Sequence, residues 1–175
     1  METRPYAHGD ALLHETRSHG RAHRVHITFI CTGNICRSPM AERIIGDILH
    51  REGLDNRVRV SSAGIGDWHV GNPADHRTVD VLRNHGYSAD HVAAVVDETH
   101  LSADLIVALD SGHARELAML GAESSRVRML RSFDPDADSI DVADPYYGGI
   151  SGFEEVRQQI EAAVPGILRW VRDQV

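Results

Sequence analysis

The stretch Cys31-Thr-Gly-Asn-Ile-Cys-Arg-Ser-Pro39 joins two segments whose residue patterns predict different secondary structures. Before it, residues 25–30 are mostly apolar and rich in β-branched side chains, which is typical of a β-strand. After it, apolar side chains recur at helical spacing over residues 40–49, and the Ser-Pro pair is typical of a helix start. The stretch is therefore predicted to form a glycine-containing turn between a strand and a helix.

This predicted turn brings a thiol and a guanidinium to one anion-binding concavity. Backbone N–H groups and the positive end of the helix dipole converge at such a turn and attract anions. Arg37 follows Cys31 by six positions and can hold two phosphate oxygens at once. The same surroundings favour the thiolate of Cys31, a nucleophile facing bound phosphate, to which the Ser38 hydroxyl could donate. The Cys-x5-Arg spacing alone is equally compatible with a buried structural cysteine.

The full string resembles the signature of the low-molecular-weight protein tyrosine phosphatases, Cys-x-Gly-Asn-x-Cys-Arg-Ser-Pro. A second element of that family, Asp-Pro-Tyr-Tyr-Gly, matches residues 144–148. The resemblance extends from about residue 25 to the C-terminus and is closest to the mycobacterial-type secreted members of actinobacteria, through residues 66–71 and 128–135. It implies a phosphoric monoester hydrolase with a phosphotyrosine phosphatase I-like fold, a cysteinyl-phosphate intermediate, and no metal or other cofactor.

The resemblance also implies a role for each matched residue. Cys31 is the expected nucleophile, Arg37 the expected phosphate clamp, and Asp144 the expected general acid and then base. Backbone N–H groups of residues 32–37 are expected to bind phosphate, while Asn34 holds the tight turn. The expected substrate-binding residues are Thr32, Gly33, Asn34, Ile35, Cys36, Ser38, Trp68, Tyr146 and Tyr147.

Two Asp-Pro pairs, at Asp134 and Asp144, are candidates for the acid. An aspartate before proline adopts an extended backbone and projects from a loop, so the residues alone do not separate the two. The Tyr-Tyr-Gly-Gly that follows favours Asp144 by resemblance and leaves Asp134 as a turn residue. The acidic run at residues 134–138 does not fit a calcium loop, because Ser139 and Pro145 stand where glycine and glutamate are needed.

The expected walls of the cleft favour phosphotyrosine as the substrate. In the family, aromatic residues at the positions of Trp68, Tyr146 and Tyr147 line the cleft mouth and select a long phosphorylated side chain. By resemblance, bacterial phosphoarginine phosphatases carry threonine at the position of Ile35 and usually phenylalanine at that of Tyr146. Phosphoarginine phosphatase and arsenate reductase remain the alternatives. The second is weakened because thioredoxin-coupled reductases use further cysteines, and this chain has two.

Cys36 leaves three interpretations open: a small core residue, a protective disulfide partner of Cys31, or part of a redox relay. By resemblance, the second cysteine is the protective partner. Two cysteines do not form a structural disulfide framework, so a reducing, cytoplasmic compartment is expected. Non-classical export is suggested by the resemblance only.

Three further polar residues are candidates for supporting the turn. Asp110 ends a predicted strand and is expected to brace the phosphate loop. His85 and His91 either support the surroundings of the loop, as histidines near these positions do in the family, or lie at the surface.

Composition predicts a single domain after a short extension. A chain of 175 residues with 42% hydrophobic content can bury one core. Residues 1–23 are polar and lack the apolar segment of a signal peptide, so they are predicted to be a disordered extension of a phosphatase domain at residues 24–175. The net charge of −8 disfavours nucleic acid and anionic membranes as partners. The chain is expected to be a monomer, and its expected partners are phosphotyrosine-containing proteins, with inorganic phosphate as product and inhibitor.

The rest of the pattern predicts an α/β fold with a four-stranded parallel sheet flanked by helices. Further strands are predicted at residues 57–62, 105–109 and 127–130. Helices are predicted at residues 75–84, at 111–120, and from 152 towards the C-terminus, the last kinked or divided at Pro165. Helical crossovers imply right-handed, Rossmann-like or flavodoxin-like winding with the ligand at the carboxyl ends of the strands. Cys31 lies at such an end.

Overall fold

A computed structural model describes residues 24–175, so the predicted extension at residues 1–23 lies outside the described part of the chain. Its strands are β1 (Val25–Cys31), β2 (Val58–Gly64), β3 (Leu105–Ala108) and β4 (Val127–Met129). They form one sheet in the order β2-β1-β3-β4, and every adjacent pair is parallel. The predicted fold class is confirmed.

Five α-helices connect and cover these strands within the described residues. They are α1 (Arg37–Arg51), α2 (His76–Asn84), α3 (Glu98–Leu101), α4 (Ser111–Met119) and α5 (Ile150–Gln174). Short 3₁₀ turns lie at Ser124–Arg126 and Leu130–Phe133. None of the helices in this part of the chain is long and apolar enough to cross a membrane.

The central strands are apolar on both faces because both faces are covered. On one face, Phe29 and Val107 belong to the larger core cluster, together with side chains of α1, α2 and α5. On the other face, Ile30 and Ile106 belong to a smaller cluster, against which Leu101 and Ala114 also pack. A strand buried on both sides reads as a continuous apolar run, which is the pattern seen in β1 and β3.

The structure corrects two details of the predicted helices. α1 begins at Arg37, so Arg37 itself lies in the first turn and Cys36 is the N-cap. α5 runs unbroken through Pro165, and the proline does not divide it. The ring of Pro165 lies on the exposed side of α5. Solvent there can satisfy the backbone carbonyl that loses its N–H partner, which reduces the cost of proline within a helix.

Candidate active site

The segment between β1 and α1, residues 31–37, has its carbonyl groups turned outward. The N–H groups of Ile65 and Gly66 donate to the carbonyls of Cys31 and Thr32, each at 2.9 Å. The N–H of Asp75 donates to the carbonyl of Ile35 at 2.8 Å. In a trans peptide the carbonyl and the next N–H point in opposite directions, so the N–H groups of this 31–37 loop are turned inward. The loop therefore forms an anion-binding concavity.

Asn34 holds the tight point of the 31–37 loop. It has φ of 57° and is the one non-glycine residue with positive φ among residues 24–175. Its buried side chain donates to the hydroxyls of Ser38 and Ser62 at 2.8 and 2.9 Å, and its Oδ1 accepts from the N–H of Ala94. His91 Nε2 donates to its carbonyl at 2.7 Å. These bonds stabilise a left-handed conformation that asparagine tolerates better than most residues.

The Cys31 sulfur lies on the floor of this concavity, beside the Ser38 hydroxyl. The two atoms, Sγ and Oγ, are 2.8 Å apart, and Cys31 is only 3% exposed. Because Ser38 Oγ already accepts a hydrogen from Asn34, its own proton is available to the sulfur. A donated hydrogen bond of this kind stabilises a thiolate.

Arg37 is fixed on one side and open on the other. Its Nη1 donates to Asp110 Oδ2 and to the Val142 carbonyl, both at 2.8 Å. Its Nη2 makes only longer contacts, of 3.4 Å with the Thr32 hydroxyl, 3.5 Å with His113 Nε2 and 3.9 Å with Asp144 Oδ2, so it remains able to bind an anion. Burial would raise the pKa of Asp110, but hydrogen bonding to the guanidinium lowers it overall. Asp110 therefore stays charged and braces the arginine.

Asp144 reaches the same concavity from the loop before α5. Its Oδ1 accepts from the Tyr146 N–H at 3.1 Å, and its Oδ2 lies 3.9 Å from Arg37 Nη2. The segment just before it is held next to β3, because the Val142 N–H donates at 2.8 Å to the carbonyl of Leu109, the residue that follows this strand. The predicted acid thus faces the predicted clamp.

Arg77 fastens the other side of the Asp144 loop and was not identified from the sequence. Its guanidinium pairs with Asp75 through two hydrogen bonds of 3.0 and 2.9 Å. It also donates to the Gly148 carbonyl at 2.8 Å and lies 5.7 Å from the centre of the Tyr146 ring. The Asp75 N-cap of α2 is therefore linked to the loop that carries Asp144.

A cavity of about 390 Å³ brings most of the predicted site residues together. Its lining comprises Cys31, Thr32, Gly33, Ile35, Cys36, Arg37, Trp68, His69, Asp144, Tyr146 and Tyr147. The side chains of Asn34 and Ser38, which were also expected to belong to the binding site, are fully buried and are absent from the cavity lining. Their side chains support the loop and the thiol and do not reach the cavity.

Two histidines of the site were missed by the sequence analysis. His69 packs on the loop so closely that a Cβ on Gly33 would lie 2.9 Å from its Cδ2. His113 is buried, and its Nε2 lies 2.9 Å from the Thr32 hydroxyl. The sequence signal for His113 was its place three residues after the N-cap Asp110, but a local pattern does not show that the ring reaches residue 32.

Of the three polar residues predicted to support the turn, two contact the site and one lies at the surface. Asp110 braces Arg37, and His91 bonds to the 31–37 loop, as two of the interpretations expected. His85 lies at the surface, where its ring contacts Glu154 at 3.2 Å. Asp134 accepts from the N–H of Asp136 within a turn.

Cys36 has an environment unlike that of Cys31. Burial, followed by the charge of Asp75, raises the pKa of the Cys36 thiol to about 12. Cys36 therefore stays protonated near neutral pH and is a poor nucleophile. Both cysteines are free thiols, and residues 24–175 contain no cluster of three or more side chains able to hold a metal ion.

Comparisons with known proteins agree on one family. The family model for low molecular weight phosphotyrosine protein phosphatases matches residues 26–175. A Mycobacterium tuberculosis low molecular weight protein-tyrosine phosphatase A is 58% identical over 153 residues, covering 86% of this chain and 94% of that protein.

Solved structures place the chain among the same proteins. YfkJ from Bacillus subtilis is 38% identical with a TM-score of 0.82, covering 89% of this chain and 99% of that chain. The YwlE arginine phosphatase, solved with a phosphorylated active-site serine, is 31% identical with a TM-score of 0.76. The match covers 85% of this chain and 96% of that chain.

Proposed function

The chain belongs to the low molecular weight phosphotyrosine protein phosphatase family, and we propose that it hydrolyses phosphotyrosine in proteins with Cys31 as the nucleophile. The observation that carries this proposal is the meeting of three groups in one cavity. The Cys31 sulfur lies on its floor beside a hydroxyl donor, Arg37 is braced at its wall, and the Asp144 carboxylate faces that arginine at 3.9 Å.

In the first step the Cys31 thiolate attacks phosphorus. The bond from phosphorus to the tyrosyl oxygen breaks, and the protonated carboxyl of Asp144 gives its proton to that oxygen. Arg37 and the inward N–H groups bind the three equatorial oxygens, whose charge they stabilise in the transition state. The products of this step are tyrosine and a cysteinyl-phosphate.

In the second step water attacks the cysteinyl-phosphate. The Asp144 carboxylate takes a proton from that water, and the bond between sulfur and phosphorus breaks. The electron pair returns to Cys31, where the Ser38 hydroxyl at 2.8 Å stabilises the leaving thiolate. Orthophosphate leaves, which restores the thiolate and the protonated carboxyl.

The mouth of the cavity supports phosphotyrosine as the substrate. Trp68 and Tyr147 are 71% and 91% exposed, an unusual state for large aromatic side chains. Tyr147 stands edge-on to Tyr146, with ring centres 5.0 Å apart. These rings can stack on a phenyl ring whose phosphate reaches the sulfur beneath, whereas the shorter phosphoserine gains no such contact.

The experiment compares phosphotyrosine, phosphoserine and phosphoarginine peptides of one sequence in parallel, with Cys31→Ser as the inactive control. We expect phosphotyrosine to have the highest kcat/KM, because only it pairs ring stacking with the required depth. Faster turnover of phosphoarginine would replace this proposal with the activity named for YwlE. Thiol consumption that depends on added arsenate would instead indicate a reductase.

We also propose a cytoplasmic, reducing location and a monomeric state. Both cysteines are free thiols, and the reaction needs Cys31 reduced. The proposed nucleophile, clamp and acid (Cys31, Arg37 and Asp144) all come from this chain, so the proposed reaction needs no second copy. Trapping thiols with a maleimide in intact cells should label Cys31, and sedimentation should give a mass near 19.3 kDa. An oxidised Cys31 in cells would contradict the reducing location, and a stable dimer would contradict the monomeric state.

A further inference from the structure

The Thr32 hydroxyl lies at the wall of the cavity with two nitrogen atoms near its oxygen. His113 Nε2 is 2.9 Å from Thr32 Oγ1, and Arg37 Nη2 is 3.4 Å from it. Thr32 is exposed and belongs to the cavity lining next to Cys31. The direction of the hydroxyl proton depends on whether these two nitrogens donate or accept.

The structure fixes the tautomer of His113. The N–H of Asp110 donates to His113 Nδ1 at 3.1 Å, while Asp110 Oδ1, 3.3 Å from Nδ1, accepts the backbone N–H of His113. Nδ1 is therefore the acceptor and carries no proton. Burial, followed by the charge of Arg37, lowers the pKa of His113 to about 4, so the ring is neutral near pH 7. A neutral imidazole whose Nδ1 accepts carries its proton on Nε2. His113 therefore donates to Thr32.

Arginine can only donate, so both nitrogens are donors to the same oxygen. Their mutual distance of 3.5 Å is then a contact and not a hydrogen bond. Two donors occupy the acceptor positions of Thr32 Oγ1 and leave its own proton without a protein acceptor among residues 24–175. That proton is free to point into the cavity.

We propose that the Thr32 side chain is a phosphate-binding donor, additional to the backbone N–H groups and Arg37, and that His113 positions it. The proposal rests on the proposed function, since the ligand is the phosphoryl group of the substrate or orthophosphate. His113 does not touch the ligand and acts through Thr32. The pair adds a neutral, directional donor to one side of the phosphate site.

The first test measures orthophosphate binding by calorimetry, which does not depend on turnover. Thr32→Val removes the hydroxyl at nearly constant shape, and Thr32→Ser restores it. Loss of one hydrogen bond to a charged oxygen should weaken phosphate binding by about 10-fold or more in Thr32→Val. Thr32→Ser should bind within about threefold of the parent chain. Equal binding by all three proteins, or no binding by the parent chain, would overturn the proposal.

The second test asks whether His113 acts through Thr32. His113→Asn places an amide oxygen where Nδ1 accepts from Asp110 but has no donor at the position of Nε2. It should weaken phosphate binding when Thr32 is present and have no further effect together with Thr32→Val. Additive effects would show that His113 acts by another route. Thermal melting of each variant verifies that it is folded.

A crystal structure with orthophosphate separates direct contact from indirect support of Arg37. We expect Thr32 Oγ1 about 2.5–3.0 Å from a phosphate oxygen. A separation beyond about 3.5 Å would overturn the direct contact. The outcomes also distinguish the two proposals of function and site. If the chain binds phosphate normally but does not hydrolyse phosphotyrosine, the proposed function is wrong. If it hydrolyses phosphotyrosine and Thr32→Val has no effect, the proposed role of Thr32 is wrong.

Discussion

Cys31 and Cys36 carry the same thiol five residues apart, yet the loop gives them different chemistry. Cys31 has the Ser38 hydroxyl 2.8 Å from its sulfur. Burial and the charge of Asp75 raise the pKa of Cys36 to about 12. Iodoacetamide at pH 7 should therefore modify Cys31 first, and orthophosphate should protect it. Peptide mapping by mass spectrometry makes the measurement, and comparable labelling of Cys36 would contradict this assignment.

The contribution of Asp144 to the rate of ester cleavage is predicted to increase with the basicity of the leaving group. Asp144→Asn keeps the shape of the side chain but has no proton to give. It should slow cleavage of phenyl phosphate by about 10²–10⁴. Dinitrophenyl phosphate, whose leaving group needs no protonation, should be affected far less. Steady-state kinetics on the two esters give the comparison. Equal losses on both would remove Asp144 from the role of acid.

His113 makes stability depend on pH in a predictable direction. Its pKa is about 4 in the folded chain, against an ordinary value of 6.5. Between these values the unfolded state binds a proton that the folded state does not, so the free energy of unfolding falls as the pH falls from 6.5 to 4. His113→Asn should remove roughly 3 kcal/mol of that fall, equivalent to the difference in pKa.

Urea unfolding at pH 7, 5.5 and 4 measures this effect as the difference between the parent chain and His113→Asn. Carboxylates that titrate in the same range contribute to both proteins and cancel. The free energy of unfolding of the parent chain minus that of His113→Asn should fall by roughly 3 kcal/mol as the pH falls from 7 to 4, and should level off below pH 4. A constant difference across this range would mean that His113 is not held neutral by the fold.

At the level of elements, local pattern predicted the strands and longer helices well. β1 and β3 are continuous apolar runs because both their faces are buried. α3 was missed, since a single turn with no buried residue leaves no periodic signal.

The residues that support the site were missed for another reason. His113 and Arg77 reach the site from elements distant in sequence, and only the packed fold brings them to Thr32 and Gly148.

Replacing each of two helical glycines by alanine is predicted to change the free energy of unfolding in opposite directions. At Gly46 in α1 a Cβ would meet nothing within 4 Å, whereas at Gly166 in α5 it would overlap the backbone carbonyl of Phe133. Gly46→Ala should raise the free energy of unfolding by about 0.5–1 kcal/mol through helix propensity. Gly166→Ala should lower it by about 1–3 kcal/mol, because α5 must move away from the 3₁₀ turn.

Chemical denaturation of the two variants beside the parent chain makes this comparison. Each variant controls for the other, since both make the same substitution within a helix. Stabilisation by Gly166→Ala would show that α5 does not need its close approach to Phe133.

The whole molecule is acidic although its site binds an anion. The net charge is −8. Residues 1–23 contain three arginines and three carboxylates, so their charges cancel and the full −8 lies in residues 24–175. Within that field, Arg37 and the inward N–H groups of the 31–37 loop supply local positive potential. Short-range attraction at the site thus opposes long-range repulsion from the surface.

Ionic strength separates these two fields, because salt screens long-range repulsion more than contacts inside a cavity. For a phosphotyrosine peptide with acidic flanks, kcat/KM should rise by about two- to tenfold as ionic strength increases from 0.01 to 0.15 M. A peptide with arginine flanks should show a flat or falling response, since salt weakens its attraction to the acidic surface. Initial rates at low peptide concentration, in a salt whose anion does not compete with phosphate, give both curves. A fall for the acidic peptide would mean that positive potential at the cavity extends far enough to govern encounter despite the net charge.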